Sequence, residues 1–271
     1  MATNRIDGRF AELRAGGARA FVAYLTAGDP SPAATPGLVL ALERAGCDII
    51  ELGVPFSDPI ADGPTIQQAF QRALGAGAHL GRVLEIIAEV RRSSQVPIVV
   101  FSYYNPVMRY GDAAFVADAV AAGADGLLLL DMPPEEAGGL IGRCDAEGLR
   151  WVTLVAPTTP LERLSELVGR SSGFVYLVSR EGVTGARESL SGGIADGVAR
   201  IRKQTSVPVC VGFGISTERQ VREVAAHADG VVVGSAIVKV VAECGNSSDL
   251  CQRVEAFARP LADAAHGKGG L

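Results

Sequence analysis

Asp48-Ile-Ile-Glu-Leu-Gly-Val-Pro-Phe-Ser-Asp-Pro-Ile-Ala-Asp-Gly-Pro64 sets the plan of the chain. Ile49, Ile50 and Leu52 are apolar and suit a buried strand, and Glu51 stands where that strand should end. Gly53, Pro55, Pro59, Gly63 and Pro64 break the chain into a loop that carries Asp58 and Asp62. A helical pattern from Thr65 to Leu74 follows. A carboxylate at the C-terminal end of a barrel strand, with another in the following loop, is where an enzyme keeps acid and base groups. Each residue alone has a plainer reading, the glutamate as a salt-bridge or loop anchor and the aspartate as a helix cap.

The same strand, loop and helix unit recurs on both sides. Further strands are expected at 20–25, 96–101, 126–130, 151–155, 174–178, 207–211 and 230–233. Helices are expected at 34–45, from 65 to 92 with a break near 75–77, and at 112–122, 135–147, 161–168, 194–204, 217–227 and 250–265. Ile6, Phe10 and Leu13 put one apolar face on an extra helix over 3–15. A short helix over 236–241 is expected after the last strand. The strands are continuous apolar runs, as when both faces of a parallel sheet are buried. About eight such units in roughly 250 residues is the size of a single (β/α)8 TIM barrel. A doubly wound open sheet is the alternative, weakened because no Gly-x-Gly-x-x-Gly follows the first strand. No break in composition marks a linker, so residues 1–271 are read as one domain.

The chain has 271 residues, 48% of them hydrophobic and 20% charged, with a net charge of -5. That is the composition of a globular protein with ample core, and without a Lys/Arg run it points away from nucleic acid and anionic membranes. No apolar run reaches the ~18 residues of a membrane span. The first ten residues lack the apolar core of a secretion signal. The 5 cysteines are odd in number, scattered and without a Cys-x-x-Cys pair, which suggests reduced thiols in the cytoplasm. His79, His227 and His266 form no cluster, so no metal site is expected. Lys203, Lys239 and Lys268 read as helix or tail residues, none at a strand end where an imine-forming lysine would stand.

Loops after barrel strands meet on one face. Gly185 follows strand six, Gly212 and Gly214 follow strand seven, and Gly234-Ser235 opens the short helix after strand eight. Glycines after strands can be mere turn residues, but glycine amides together with a helix N-terminus also form an anion site that needs no Lys or Arg. The region after strands seven and eight is the usual phosphate seat of this fold. Tyr24, Phe101, Tyr103, Leu128, Leu130, Leu154, Phe174 and Tyr176 lie near strand ends. Singly they read as barrel core. Together they suggest an apolar pocket for an aromatic or apolar phosphate ester. With no lysine placed for an imine and no histidine cluster, carboxylate and tyrosine acid–base chemistry remains, either isomerisation or cleavage of a bond that the substrate itself activates.

The motif Glu-Leu-Gly-Val-Pro-Phe-Ser-Asp-Pro-Ile-Ala-Asp-Gly-Pro-Thr-Ile-Gln over 51–67 resembles the signature of the tryptophan synthase alpha subunit family. Thr26-Ala-Gly-Asp-Pro30, Tyr103-Tyr-Asn-Pro106, Asp131-Met-Pro133, Ser179-Arg-Glu-Gly-Val-Thr-Gly185, Gly212-Phe-Gly-Ile-Ser216 and Gly234-Ser-Ala-Ile-Val238 follow in the family's order. The resemblance implies retro-aldol cleavage of indole-3-glycerol phosphate to indole and glyceraldehyde 3-phosphate. It implies Glu51 as the acid and base, Asp62 as the partner of the indole N–H, and Tyr176 as an assisting group. Phosphate would rest on Gly185, Gly212, Phe213, Gly214, Gly234 and Ser235. Tyr24, Phe101, Tyr103, Leu128, Leu130, Leu154 and Phe174 would line the indole. The family works with a beta subunit in an alpha2-beta2 heterotetramer, and the pyridoxal phosphate cofactor would belong to that partner. The loops 53–62 and 179–193, with Pro55, Asp58, Asn105 and Thr184, would form lid and partner contacts. A free-standing indole-releasing lyase, a non-catalytic binding barrel and a phosphosugar isomerase are the other readings.

Overall fold

The computed structural model describes residues 4–133, 135–178, 190–212 and 214–268. Eight parallel strands close into a barrel in sequence order. They are β1 (Ala20–Thr26), β2 (Ile49–Gly53), β3 (Ile98–Ser102), β4 (Gly126–Leu129), β5 (Arg150–Val155), β6 (Val175–Val178), β7 (Val209–Gly212) and β8 (Gly230–Val233). The runs of valine, isoleucine and leucine fit this arrangement because each strand is buried on both faces. The period of two sorts them. Val22, Ile49, Val99, Val152 and Val232 share one core inside the barrel. Their neighbours Phe21, Ile50, Val100, Trp151 and Val231 belong to a second core between the strands and the helices.

The helices are α1 (Arg5–Ala15), α2 (Thr35–Arg44), α3 (Pro64–Gly75), α4 (Leu80–Val90), α5 (Tyr104–Tyr110), α6 (Asp112–Ala122), α7 (Gly138–Glu147), α8 (Leu161–Gly169), α9 (Leu190–Arg202), α10 (Glu218–Ala225), α11 (Ser235–Cys244) and α12 (Leu250–Ala265). The expected break in the third helical region falls between α3 and α4, at Gly77 with its φ of 82°. His79 then caps α4 by accepting from the Arg82 amide at 3.3 Å. Three helix boundaries depart from expectation by three residues or more. α7 starts at Gly138 rather than 135, α9 starts four residues early, and α11 extends well past 236–241. α5 was not expected at all, because Pro106 reads as a break. It lies in the first turn, where proline forfeits no intrahelical bond.

α1 closes one end of the barrel. Asn4 Oδ1 accepts from the Ile6 amide at 2.9 Å, while its Nδ2 donates to the carbonyls of Asp125 and Gly148 at 2.9 and 3.0 Å. That cap seats the helix so that Ile6, Phe10 and Leu13 join the interior core. The Phe10 ring stands 6.0 Å from that of Phe174. With that end plugged, chemistry is left to the other end, where the strands finish. No described helix is long and apolar enough to cross a membrane.

Candidate active site at the open end of the barrel

Glu51 is carried by β2, beside Tyr24 of β1 and Val99 of β3 in register. The strand alternation turns it inward among apolar neighbours, and it is 1% exposed. Its Oε1 is buried and has no hydrogen-bond partner among the described residues. Burial without a compensating charge disfavours the carboxylate and pushes its pKa up to about 8. Glu51 is therefore a neutral acid at pH 7, one step from becoming a base.

Asp62 meets the cavity from the 53–62 loop. Its Oδ2 accepts the Tyr103 hydroxyl at 2.7 Å. Burial raises its pKa and the Tyr103 hydrogen bond lowers it, burial being the larger effect. Gln67 Nε2, one turn into α3, donates to the Asp62 carbonyl at 2.8 Å and fixes the backbone there.

Glu51 and Asp62 open onto one cavity of about 530 Å³. Its walls are Tyr24 (β1), Phe101 (β3), Leu130 after β4, Leu154 (β5), Tyr176 and Val178 (β6) and Val232 (β8), with Ile66 of α3. Tyr24 meets Phe101 edge-on, ring centroids 5.1 Å apart. Two glycines make room for two phenols. A Cβ on Gly53 would collide with the Tyr24 hydroxyl, and one on Gly212 with the Tyr176 hydroxyl. Burial and the nearby Glu51 hold the Tyr176 hydroxyl protonated, and burial and the nearby Asp62 do the same for Tyr24.

The far wall is Gly214, Gly234 and Ser235. Gly234 is the N-cap of α11 and supplies no side-chain acceptor, and the first turn holds no acidic residue. The first-turn amides, which have no partner within the helix, and the positive end of the helix dipole therefore lie at the cavity wall, the arrangement that seats an anion. Among the described residues no three His, Cys, Asp or Glu side chains gather as metal ligands.

The structure thus brings Glu51, Asp62, Tyr176, Tyr24, Phe101, Leu130, Leu154, Gly214, Gly234 and Ser235 to one cavity. Leu128 and Phe174 do not line it. Each stands two residues before a residue that does, Leu130 and Tyr176, and so lies one layer deeper in the interior core. Gly212 ends β7 as the space beneath Tyr176 rather than as part of the far wall. Tyr103 is behind Asp62 rather than in the wall, its ring 5.0 Å from Phe56. Pro55 is buried, whereas Asp58 and Asn105 are exposed. Gly185, Thr184 and Phe213, with residues 179–189 of the expected lid, lie outside the described residues. Val178 and Val232 are wall residues that the sequence reading passed over, although Val178 is two positions from Tyr176 on its strand and Val232 is two positions before Gly234. Ile66 carries no comparable signal, because only the fold-back of the 53–62 loop aims it inward.

Residues 10–266 match the family model described as tryptophan synthase alpha chain. The tryptophan synthase alpha chain of Geobacter sulfurreducens is 49% identical over 261 residues, covering 96% of this chain and 98% of the relative. The crystal structure of tryptophan synthase subunit alpha from Legionella pneumophila str. Paris superposes with a TM-score of 0.91 at 36% identity, covering 98% of this chain and 100% of that one. A structure of Mycobacterium tuberculosis tryptophan synthase gives a TM-score of 0.88 at 38% identity, covering 97% and 99%. The chain belongs to the tryptophan synthase alpha chain family.

Proposed function

We propose that the cavity binds indole-3-glycerol phosphate and that Glu51 and Asp62 carry its cleavage to indole and glyceraldehyde 3-phosphate. The observation that carries this reading is Glu51 itself, a buried carboxyl at the cavity floor with an unpartnered oxygen and a pKa near 8. The phosphate rests on the amides that open α11, with Gly214 beside them. The indole lies between Tyr24, Phe101, Leu130 and Leu154. The neutral Glu51 delivers its proton to C3 of indole, giving the indolenine cation. Asp62 accepts from the indole N–H and stabilises the charge developing there. The Glu51 carboxylate then takes the proton of the side-chain hydroxyl beside C3. That oxygen closes to a carbonyl, the C–C bond breaks, and its electron pair returns to the ring. Glu51 ends protonated, as it began. The ring is its own electron sink, so neither an imine nor a metal enters the scheme. Tyr176 stays protonated and steers the substrate as a donor.

The relatives' names as alpha chains imply a further chain. On our reading this is a beta subunit that holds pyridoxal phosphate, receives the indole and completes L-tryptophan in an alpha2-beta2 heterotetramer. Ile60, 88% exposed at the tip of the 53–62 loop, and Met108, 54% exposed on α5, support docking at the open end. Asp58 and Asn105 lie on the same two segments. The free cysteines fit a cytoplasmic setting, and the whole chain acts as one domain.

The test follows indole release from indole-3-glycerol phosphate, with and without a beta subunit. Slow release alone is expected, strongly raised by the partner and lost in Glu51→Gln. Asp58→Ala should blunt the stimulation more than the basal rate. Fast release that the partner leaves unchanged would point instead to a free-standing lyase. Undiminished release by Glu51→Gln would remove that residue from the chemistry.

A further inference from the structure

Tyr103 stands between the end of β3 and the start of α5, and 1% of it is exposed. Its hydroxyl donates to Asp62 Oδ2 at 2.7 Å and accepts from the Ala61 amide at 3.0 Å. Its ring packs on Phe56 with centroids 5.0 Å apart. Three residues of the 53–62 loop therefore rest on one side chain from a neighbouring barrel unit. Among the described residues the other ties at this end of the loop reach backbone: Gln67 Nε2 donates to the Pro59 and Asp62 carbonyls at 3.3 and 2.8 Å, and the Asp62 amide donates to the Pro59 carbonyl at 3.2 Å. Among the described residues, only Tyr103 holds the Asp62 carboxylate by a hydrogen bond.

We propose that Tyr103 is a positioning residue for the cleavage: its hydroxyl holds Asp62 Oδ2, fixes the carboxylate at the cavity and leaves Oδ1 for the indole N–H. The proposal rests on the role given to Asp62 above. A carboxylate on a loop must be held in one orientation to meet a substrate N–H with useful geometry. Tyr103 supplies that hold from a buried, packed ring, so the cost of ordering the loop is met before substrate arrives. The hydroxyl bonds to the ionised form of Asp62 and so favours it, which opposes the effect of burial. Tyr103 does not itself exchange protons in the reaction, because burial and the Asp62 carboxylate hold its own proton firmly. The Ala61 contact fastens the loop backbone to the same oxygen, tying loop position to carboxylate position.

Tyr103→Phe keeps the ring on Phe56 and removes only the oxygen. Indole release is measured over pH for the wild type, Tyr103→Phe, Asp62→Asn and the double variant. Tyr103→Phe should lower kcat/KM about 10- to 100-fold, the range for a lost hydrogen bond to a charged group. Its acid limb should move to higher pH, since Asp62 then needs a higher pH to ionise. In the Asp62→Asn background the second substitution should add almost nothing. A 13C titration of the Asp62 carboxyl, read without turnover, should give a higher pKa in Tyr103→Phe. An unchanged acid limb and an unchanged titration, with Asp62→Asn impaired, would reduce Tyr103 to packing while leaving the role of Asp62 intact. Full activity in Asp62→Asn would overturn the Asp62 role and the proposal together.

Discussion

Glu51 sits in surroundings far from those of an ordinary glutamate, buried and with an unpartnered oxygen among the described residues. A carboxyl that ionises near pH 8 in the fold and near 4.5 outside it binds a proton more tightly when folded. Its contribution to stability is complete below about pH 4.5 and is lost as the pH rises through about 8. At about 1.36 kcal/mol per pKa unit that loss is on the order of 4–5 kcal/mol. Glu51→Gln removes the titration, so its melting temperature should gain on that of the wild type between pH 5 and 9. A constant difference across that range would mean that Glu51 is not buried as described. The same proton sets the rate. Release by the wild type should fall on the alkaline side of about pH 8, where the acid form is exhausted. Glu51 and Asp62 stood out in the sequence as candidates by position, a strand end and the loop after it, while the roles expected of them came from the family resemblance. The role of Tyr103 was not legible there. Its partner lies 41 residues away and meets it only after the loop folds back.

At the scale of elements, the strands were legible because each is a continuous apolar run, and their inward faces follow from counting in twos. Helix edges were less so. α5 hides behind Pro106, and the early start of α9 runs through Ser191-Gly-Gly193, which reads as loop. α11 was recognised for its opening glycine and serine but extends through Cys244, since Val238, Val241 and Cys244 continue its buried face. Its N-terminus gives a prediction in which stability and function part. Ser235 is the first residue of the helix, exposed and at the cavity wall. An aspartate there faces the positive end of the dipole and should hold or raise stability by about 0.3–1 kcal/mol. The same charge repels a phosphate, so Ser235→Asp should raise KM for the phosphate ester by at least about tenfold, equivalent to roughly 1.4 kcal/mol. Inorganic phosphate should protect the wild type against heat and leave the variant unprotected. Equal protection of both would move the anion seat away from α11.

Across the whole molecule the two barrel ends divide the labour, and the plugged end repeats one device four times. Asp48, Asp125, Ser172 and Asp229 each stand just ahead of an even-numbered strand, and each side chain accepts the amide of a residue at the start of the strand before it. The pairs are Asp48 with Phe21 at 2.6 Å, Asp125 with Ile98 at 2.8 Å, Ser172 with Trp151 at 2.8 Å and Asp229 with Val209 at 2.9 Å. Each of the four also returns its own amide to the carbonyl of that same residue, at 2.8 to 2.9 Å. The barrel is thereby pinned two strands at a time, at the end remote from chemistry. Asp125 carries more than the pin, because Arg5 and Arg91 meet its two oxygens at 2.8 and 2.7 Å. Ser172→Ala removes one neutral hydrogen bond and should cost about 1 kcal/mol. Asp125→Ala strands a buried amide and the largely buried Arg91 together, and should cost about 3–5 kcal/mol. Neither residue reaches the cavity, so kcat/KM per folded molecule should stay at the wild-type value in both. Urea unfolding beside indole release checks the pair. Loss of kcat/KM in a fully folded Asp125→Ala would show that strain at the plugged end travels the length of the barrel to Glu51, and the division between the ends would fail.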